Sequence, residues 1–265
     1  MEAPWASLIA SLAGPEGLTA APVAALAAAA FLTSILSAVV GMAGGITLLG
    51  VMLLFLDPLD AIPLHGIVQL VSNGSRTWVQ REHVVRPIVI RYAIPLLPAA
   101  ALGLLFARGL DPVVLKTAIG VFVLVATWRS QWLLIGLHPE RVDPKRRFAV
   151  LGAIAGFLNM TVGATGPFIA PFFLDLGLTR FQLIGTKAAC QLLGHVSKVL
   201  VFGLGGFAFG AEAGLIGLLC ACVVVGTWAR SRMLHLVDER QFTLLYRAVL
   251  TLVALRLVAT PLWTA

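Results

Sequence analysis

Charged side chains are scarce in this sequence, and their scarcity excludes a soluble globular protein. Asp, Glu, Lys and Arg make up 12% of the 265 residues, whereas hydrophobic residues make up 59%. About a quarter of a soluble domain is charged, so this share is too small to cover a globular surface. Three runs carry no charge: Gly17–Leu56, Phe148–Leu174 and Ala213–Ala229. We predict an all-α integral membrane protein with roughly eight to ten helices.

Cysteines are few, and recognisable metal or nucleotide motifs are missing. Cys190, Cys220 and Cys222 lie in apolar runs without paired CxxC spacing, so we interpret them as small apolar residues. No metal or cofactor is expected. The net charge of +7 comes from short basic clusters between apolar runs. Such clusters are typical of cytoplasmic loops, and no nucleic-acid motif accompanies them, so nucleic acid is excluded as a partner.

Glycine interrupts the first long apolar run. As one helix, Pro22–Leu56 would be roughly 50 Å long, too long for a hydrocarbon core about 30 Å thick. We therefore predict two helical pieces around a break at Gly41–Gly45. Residues 1–21 form an N-terminal extension without the basic region of a cleaved signal peptide, so the first run is expected in the mature protein. Spans follow at about Asp60–Gln80, Pro87–Ala107 and Pro112–Leu134.

After a polar central loop at 135–147, the pattern starts again. The run Phe148–Leu174 is interrupted at Gly163–Pro167, and spans follow at about Arg180–Phe202, Glu212–Ala229 and Phe242–Leu262. The halves align without gaps at an offset of 122 residues, which places Gly41 on Gly163 and Gly44 on Gly166. Internal repeats of this kind are typical of transporters. We therefore assign 22–134 and 148–265 to two membrane repeats.

The basic loops indicate how the repeats are oriented. The loops near Arg86, near Arg230 and at 135–147 are basic, whereas the loop 203–211 has no Lys or Arg. Basic loops lie in the cytoplasm. All of them do so only if each glycine-broken segment folds as a hairpin that returns to its own side. We therefore predict two inverted repeats, each a hairpin plus three transmembrane helices, with both termini outside and a cytoplasmic central loop.

Polar side chains recur on the second helix of each half. His65, Gln69, Asn73 and Arg76 are spaced four, four and three residues apart, and Lys187, Gln191, His195 and Lys198 repeat that spacing. Each set therefore occupies one helical face. Ionisable residues inside a membrane cost about 2.5–3.5 kcal/mol each and normally face a protein interior or wet cavity. Alternatively, Arg76 and Lys198 reach the interface from helix ends, and the glutamines only link helices.

The two glycine breaks are candidate ligand sites. Broken helices at membrane depth are tolerated where they are buried or line a cavity. A helix starting near Ile46 would point its N-terminus at the first break, where free amides favour an anion. Asn159, Thr161 and Thr165 add neutral donors at the second break. The alternative is that these small residues only allow close helix packing.

The distribution of charge indicates the sign of the ligand. Asp57, Asp60, Asp111, Asp175 and Glu212 all lie near predicted helix ends, so no carboxylate is expected near mid-membrane. A cation carrier would usually need one there. We therefore predict a secondary transporter of a small anion, not an enzyme, with two histidines as possible proton carriers. The expected substrate site comprises Gly41, Ala43, Gly44, Gly45, His65, Gln69, Asn73, Gly163, Thr165, Gly166, Lys187, Gln191 and His195.

Two alternatives to a carrier stay open at this point. One is an anion channel, which would need no alternating access. The other is an intramembrane hydrolase using Ser75 or Ser197 near His195. Neighbouring positions on a helix point in different directions, and no nucleophile elbow is present, which argues against the hydrolase.

The glycine motifs resemble those of a known family. Gly41-Met-Ala-Gly-Gly45 and the repeated helix pair around Gly163-Ala-Thr-Gly-Pro167 are similar to the GxGGG signature of the sulfite exporter TauE/SafE family. The resemblance extends over about Pro22–Leu257. It implies a multi-pass permease of the bacterial inner membrane for sulfite, short sulfonates or other small organic anions. Its signature falls on Gly41, Gly44, Gly45, Gly163 and Gly166, whereas Ala43, Thr165 and Pro167 replace glycines.

Overall fold

A computed structural model of the protein describes residues 18–40, 43–134, 138–173, 176–233 and 239–264. Within these ranges the chain forms α-helices joined by short loops and 3₁₀ turns, without any strand, as expected for an all-α protein. The α-helices are α1 (Ala20–Val40), α2 (Ala43–Met52), α3 (Pro58–Val79), α4 (Arg86–Arg108), α5 (Pro112–Trp128), α6 (Pro144–Thr161), α7 (Gly166–Ile169), α8 (Arg180–Leu204), α9 (Ala213–Met233), α10 (Glu239–Val258) and α11 (Pro261–Thr264). The 3₁₀ turns are Arg81–His83, Ser130–Leu134, Pro139–Arg141 and Ala170–Phe173.

Capping residues set where several helices begin. Asp111 accepts a hydrogen bond from the Val113 amide at 2.7 Å, and Pro112 occupies the first turn of α5. Thr179 and Gln182 form a reciprocal capping box at the start of α8. Such caps satisfy amides that have no partner inside the helix. The helix starts therefore follow from local sequence.

Two boundaries differ from the sequence-based expectation. The segment expected at Pro112–Leu134 is divided, because α5 ends at Trp128 and a 3₁₀ turn follows. Helix α6 begins at Pro144, one turn before the expected start at Phe148. Proline suits the first helical turn, since its missing amide hydrogen is not needed there. Polar residues of the central loop therefore join the first turn of α6.

Both glycine breaks interrupt helices at equivalent places. Helix α1 ends at Val40 and α2 begins at Ala43, while Gly41 and Met42 lie outside the described residues. In the second half, α6 ends at Thr161, and Gly163 has a φ of 81°. That left-handed conformation suits glycine because it has no Cβ. The helix after this break has one α-turn, Gly166–Ile169, before the 3₁₀ turn Ala170–Phe173, so its helix dipole is weak.

The helices pack in a pattern that exchanging the two halves preserves. Helix α1 packs on α9, and its equivalent in the second half, α6, packs on α4. Helix α3 packs on its own equivalent, α8, and α5 packs on its equivalent, α10. Glycines allow close approach at equivalent crossings. A Cβ added to Gly103 of α4 would lie 2.6 Å from the Phe157 carbonyl oxygen, and one added to Gly226 of α9 would lie 2.5 Å from that of Phe31.

Apolar side chains form two buried cores. The larger core includes side chains of α1, α2, α3, α5, α9 and α10, and thus joins both halves. The smaller core surrounds Phe148, Phe168 and Phe173 and includes Tyr92 of α4. Both cores flank the central pair of α3 and α8, which carry the two polar sets.

Many large apolar side chains also face outward. Ile94 is 72% exposed, Leu105 68% and Leu252 69%, as expected for a surface that contacts lipid. Of three full spans expected in each half, one described helix, Arg86–Arg108, is by itself long and apolar enough to cross a bilayer. Ala20–Ile35, Pro112–Trp128 and Ala213–Ala229 are apolar but shorter. Helices α3 and α8 are long enough, but their polar sets lower their hydropathy.

Candidate functional site

The two broken segments lie against each other inside the bundle. Helix α2, which follows the first break, contacts α7, which follows the second. A Cβ added to Gly163 would lie 2.7 Å from Cδ2 of Leu49 and 3.0 Å from Cγ1 of Ile62. The second break is therefore packed directly on helices α2 and α3 of the first half. The sequence-based proposal of a shared site requires this proximity.

Two buried histidines meet beside the breaks. His65 is 1% exposed, and its Nε2 donates a hydrogen bond to the carbonyl oxygen of Gly45 at 2.9 Å. His195 is 6% exposed, and the two ring centroids are 5.7 Å apart, edge to face. The Nδ1 atoms of both rings are buried without a hydrogen-bond partner. Each half thus supplies one imidazole whose Nδ1 makes no hydrogen bond within the described part of the chain.

A fully buried lysine contacts the second break. Lys198 is 0% exposed, and its Nζ donates a hydrogen bond to the carbonyl oxygen of Gly163 at 2.6 Å. Among the described residues no carboxylate lies within ion-pair distance of this ammonium group. It lies just beyond the C-terminal end of α6, where the helix dipole favours a cation. The side chain therefore turns inward and does not reach the membrane interface.

Neutral polar groups surround the first break. The Gln69 amide lies against Gly45, since a Cβ added to that glycine would be 3.4 Å from it. Asn73 donates to the Gln69 carbonyl oxygen at 3.2 Å and to Gln69 Oε1 at 3.4 Å. Gly44 is buried in the first turn of α2. The predicted residues Gly44, Gly45, His65, Gln69 and Asn73 thus form one continuous patch.

The second break carries its own polar pair. Thr165 donates to Asn159 Oδ1 at 3.4 Å, and both residues are buried. Gly166 is buried at the start of α7. The Asn159 amide also packs against Gly194 on α8, next to His195. These contacts connect Gly163, Thr165 and Gly166 to His195 through α8.

Other predicted site residues lie elsewhere. Lys187 and Gln191 are half-buried on the earlier turns of α8, and Lys187 interacts electrostatically with Arg76 of α3. Gly41 lies outside the described residues, and of Ala43 the structure describes the backbone, in the first turn of α2. The cation beside the breaks is therefore Lys198, whereas Lys187 lies close enough to the like charge of Arg76 to be repelled by it.

The sequence-based site omits three residues that the fold places beside it. Lys198 shares the spacing of the second polar set, but its position near the helix end suggested the interface. Asn159 was grouped with neutral donors of the break. Tyr92 of α4 is 0% exposed, its hydroxyl has no hydrogen-bond partner, and it faces Gly194. One signal for Tyr92 was its rarity, since the chain contains 2 tyrosines.

The two serines considered for a hydrolase form hydrogen bonds within their own helices. The Ser75 hydroxyl donates to the Ser72 carbonyl at 2.9 Å, and the Ser197 hydroxyl to the Gly194 carbonyl at 2.8 Å. Both hydroxyls are thus bound to their own helices and not to a histidine. Across the described ranges, no group of three or more His, Cys, Asp or Glu residues is placed to hold a metal ion.

Comparison with known proteins agrees with the glycine motifs. The family model described as "Sulfite exporter TauE/SafE" matches residues 26–257. The chain is 29% identical over 247 residues to the "Probable membrane transporter protein ORF9" of Sinorhizobium sp, and the alignment covers 88% of this chain and 91% of that relative. No solved structure matches the chain significantly.

Proposed function

This chain belongs to the sulfite exporter TauE/SafE family and is a membrane transporter, and on that premise we propose that it carries a small anion by alternating access. Sulfite, a sulfonate or another small organic anion would bind between the two glycine breaks. The family description names sulfite, and the buried ammonium group of Lys198 supports a negatively charged ligand. The proposed location is the bacterial inner membrane, crossed several times.

One observation carries the choice of an anion: Lys198 is completely buried without a carboxylate partner in the described part of the chain. Removing an ammonium ion from water costs several kcal/mol. The negative end of a helix offsets at most about 2 kcal/mol of this. A bound anion would supply the missing negative charge. A transported cation would add to the positive charge instead.

The hydrogen bonds of His65 suggest how protons could couple to transport. Its Nε2 donates to Gly45, so in the neutral ring Nδ1 is an acceptor and repels an anion. A proton on Nδ1 converts that atom into a donor and gives the ring a positive charge. Proton uptake would therefore prepare His65 to bind the anion. This favours cotransport of an anion with a proton.

The helix contacts support two inverted repeats. Along α3 and α8, Gly66 lies against Lys198, Gly74 against Leu192, and Gly185 against Gln80. These helices are therefore antiparallel and cross near equivalent positions, as two halves related by a two-fold axis in the membrane plane would do. The repeats would comprise 22–134 and 148–265, with the loop 135–147 in the cytoplasm and both termini outside.

Arg76 and Lys198 are cations at equivalent positions of the two halves, and one hydrogen bond of each differs between them. Lys198 reaches the backbone of its own break, whereas Arg76, its counterpart in the first half, donates to Ser72 Oγ at 3.4 Å. In inverted-repeat carriers, exchanging the conformations of the halves opens the opposite side. We propose that Arg76 and Lys198 exchange these environments when the site turns to the other side of the membrane.

Transport by two matched variants tests this function. Lys198→Met removes the buried charge and keeps a side chain of similar volume. Lys187→Met removes the lysine that lies near Arg76. In proteoliposomes loaded for sulfite uptake, we expect Lys198→Met to lower flux tenfold or more, equivalent to about 1.4 kcal/mol or more of lost stabilisation. We expect Lys187→Met to lower it less than threefold.

Two controls make the result interpretable. Thermal unfolding of Lys198→Met should match or exceed that of wild type, because replacing a buried charge by an apolar group is often neutral or stabilising. Full uptake by folded Lys198→Met would refute the proposed anion site. Counterflow of labelled sulfite distinguishes a carrier from a channel, since a channel gives current without exchange.

A further inference from the structure

A cavity lies at one end of the helical bundle, away from the candidate transport site. It has a volume of about 460 Å³ and is lined by Leu53, Leu54, Lys116, Arg256, Leu257 and Thr260. None of these residues belongs to the candidate transport site. Leu53 and Leu54 follow the end of α2, Lys116 lies near the start of α5, and Arg256 lies in the last turn of α10. The cavity is thus at the level where these helices end.

Among the described residues, the charges at the cavity are those of Lys116 with its partner Asp57 and of Arg256, which leaves one positive charge in excess. Lys116 Nζ lies 2.7 Å from Asp57 Oδ1, so this pair is neutral overall. Arg256 adds one guanidinium group. Asp111, also at this end of α5, accepts the Val113 amide as a helix cap. One unbalanced cation beside a lysine with further donor hydrogens suits a ligand with a single negative charge and several oxygens.

The surroundings of the cavity are those of a lipid-facing surface. Val114 is 53% exposed, Leu252 69% and Leu255 52%, and they lie on the same two helices as Lys116 and Arg256. Arg256 itself is exposed between these apolar neighbours. An arginine at such a boundary can form charge-assisted, bidentate hydrogen bonds with the phosphate oxygens of a lipid head group. Apolar walls of Leu53, Leu54 and Leu257 would suit the glycerol and upper acyl carbons.

We propose that this cavity binds the phosphodiester head group of an anionic membrane phospholipid. Arg256 and Lys116 would hold the phosphate oxygens, and the acyl chains would lie along Val114, Leu252 and Leu255. A phosphodiester carries one negative charge, which balances the excess charge of the wall. A head group with its own cation would be disfavoured by Arg256. A free phosphate ester shares the phosphate chemistry but lacks the acyl chains.

The experiment compares lipids and two arginine variants. Purified protein in detergent is titrated with phosphatidylglycerol, with phosphatidylcholine or with free glycerol phosphate, and thermal unfolding is followed. Arg256→Gln removes the proposed ligand contact. Arg86→Gln, which removes an exposed arginine at the start of α4, is the matched control. Native mass spectrometry counts the phosphatidylglycerol molecules retained by each variant.

For wild type and Arg86→Gln, phosphatidylglycerol should raise the unfolding temperature by about 2 °C or more above the value in phosphatidylcholine. Arg256→Gln should lose at least half of that increase and retain fewer lipid molecules. An equal increase in Arg256→Gln would overturn the proposal. So would an equal increase with glycerol phosphate, which would assign the cavity to a soluble phosphate ester. Transport is not measured, so the result is independent of the substrate.

Discussion

At the scale of single residues, two side chains that are normally kept in water are held inside by backbone carbonyls. His65 donates to Gly45, and Lys198 donates to Gly163. Gly163 follows the last residue of α6, where carbonyl groups lose their partners in the helix, whereas Gly45 lies in the first turn of α2 and accepts the histidine in addition to its place in that helix. At each break, a backbone carbonyl oxygen thus accepts a hydrogen bond from one cationic or titratable side chain. Because both acceptors are neutral carbonyl oxygens, neither contact neutralises a positive charge on Lys198 or on protonated His65.

The pH dependence of transport tests the role of His65. Uptake of a short alkyl sulfonate, whose charge is constant, should rise as the pH falls, because protonation converts Nδ1 of His65 from an acceptor into a donor and makes the ring positive. Besides the Gly45 carbonyl, the titratable or charged groups that face His65 among the described residues are His195 and Lys198. In His65→Gln we expect this rise to be reduced at least threefold, since a glutamine amide does not titrate.

Two further measurements complete that test. His83→Gln, at an exposed 3₁₀ turn, is the matched control and should keep the wild-type pH profile. If His65→Gln transports with an unchanged pH profile, the proton is carried elsewhere, and His195→Gln is then the variant to measure.

At the scale of secondary-structure elements, the second break depends on a glycine conformation. Gly163 has a φ of 81° and is packed against Leu49 and Ile62. A side chain there would meet both an unfavourable backbone conformation and two neighbours. Its carbonyl also accepts the Lys198 hydrogen bond, so the geometry of the break positions the buried cation.

Substitution of this glycine should be costly. We expect Gly163→Ala to lower the free energy of unfolding by about 1–3 kcal/mol, the usual cost of a non-glycine residue in this region. Gly217 of α9 is the matched control, because an added Cβ finds nothing within 4 Å. Gly217→Ala should be neutral or stabilising by up to about 1 kcal/mol. Unfolding in mixed detergent measures both, and equal stability of the two variants would contradict the role of Gly163.

At the scale of the whole molecule, the packing of the two halves bears on topology. If the two halves are exchanged, the contact between α1 and α9 becomes the contact between α6 and α4. The contacts α3–α8 and α5–α10 stay the same. A two-fold axis in the membrane plane produces such a pattern. The central loop and the loop between α8 and α9 would then face opposite sides.

Cysteine labelling tests this topology. In a variant with Cys190, Cys220 and Cys222 replaced by alanine, single cysteines are introduced as Glu140→Cys or Gly210→Cys, both at exposed positions. In intact cells we expect an impermeant maleimide to label Gly210→Cys and to spare Glu140→Cys. After permeabilisation both should react. Equal labelling of both positions in intact cells would exclude opposite locations.

Much of the architecture could be predicted from local sequence. The missing charges predicted helices, Pro112 was predicted as the start of a span, and the 122-residue offset predicted two similar halves. These features depend on neighbouring residues, on capping and on hydropathy, which act over a few turns of one helix. Membership of the TauE/SafE family was likewise visible in the glycine motifs, and the family match confirms it.

The composition of the candidate site depended on tertiary packing. Spacing along α8 placed Lys187 and Lys198 on one face and could not decide which would meet the break. The crossing of α3 and α8 determined which lysine meets the break, because Lys198 contacts Gly66 and Gly163 whereas Lys187 lies near Arg76. Helical periodicity determines the direction in which a side chain points. The depth and angle at which two helices cross determine what it touches, and these result from many distant contacts acting together.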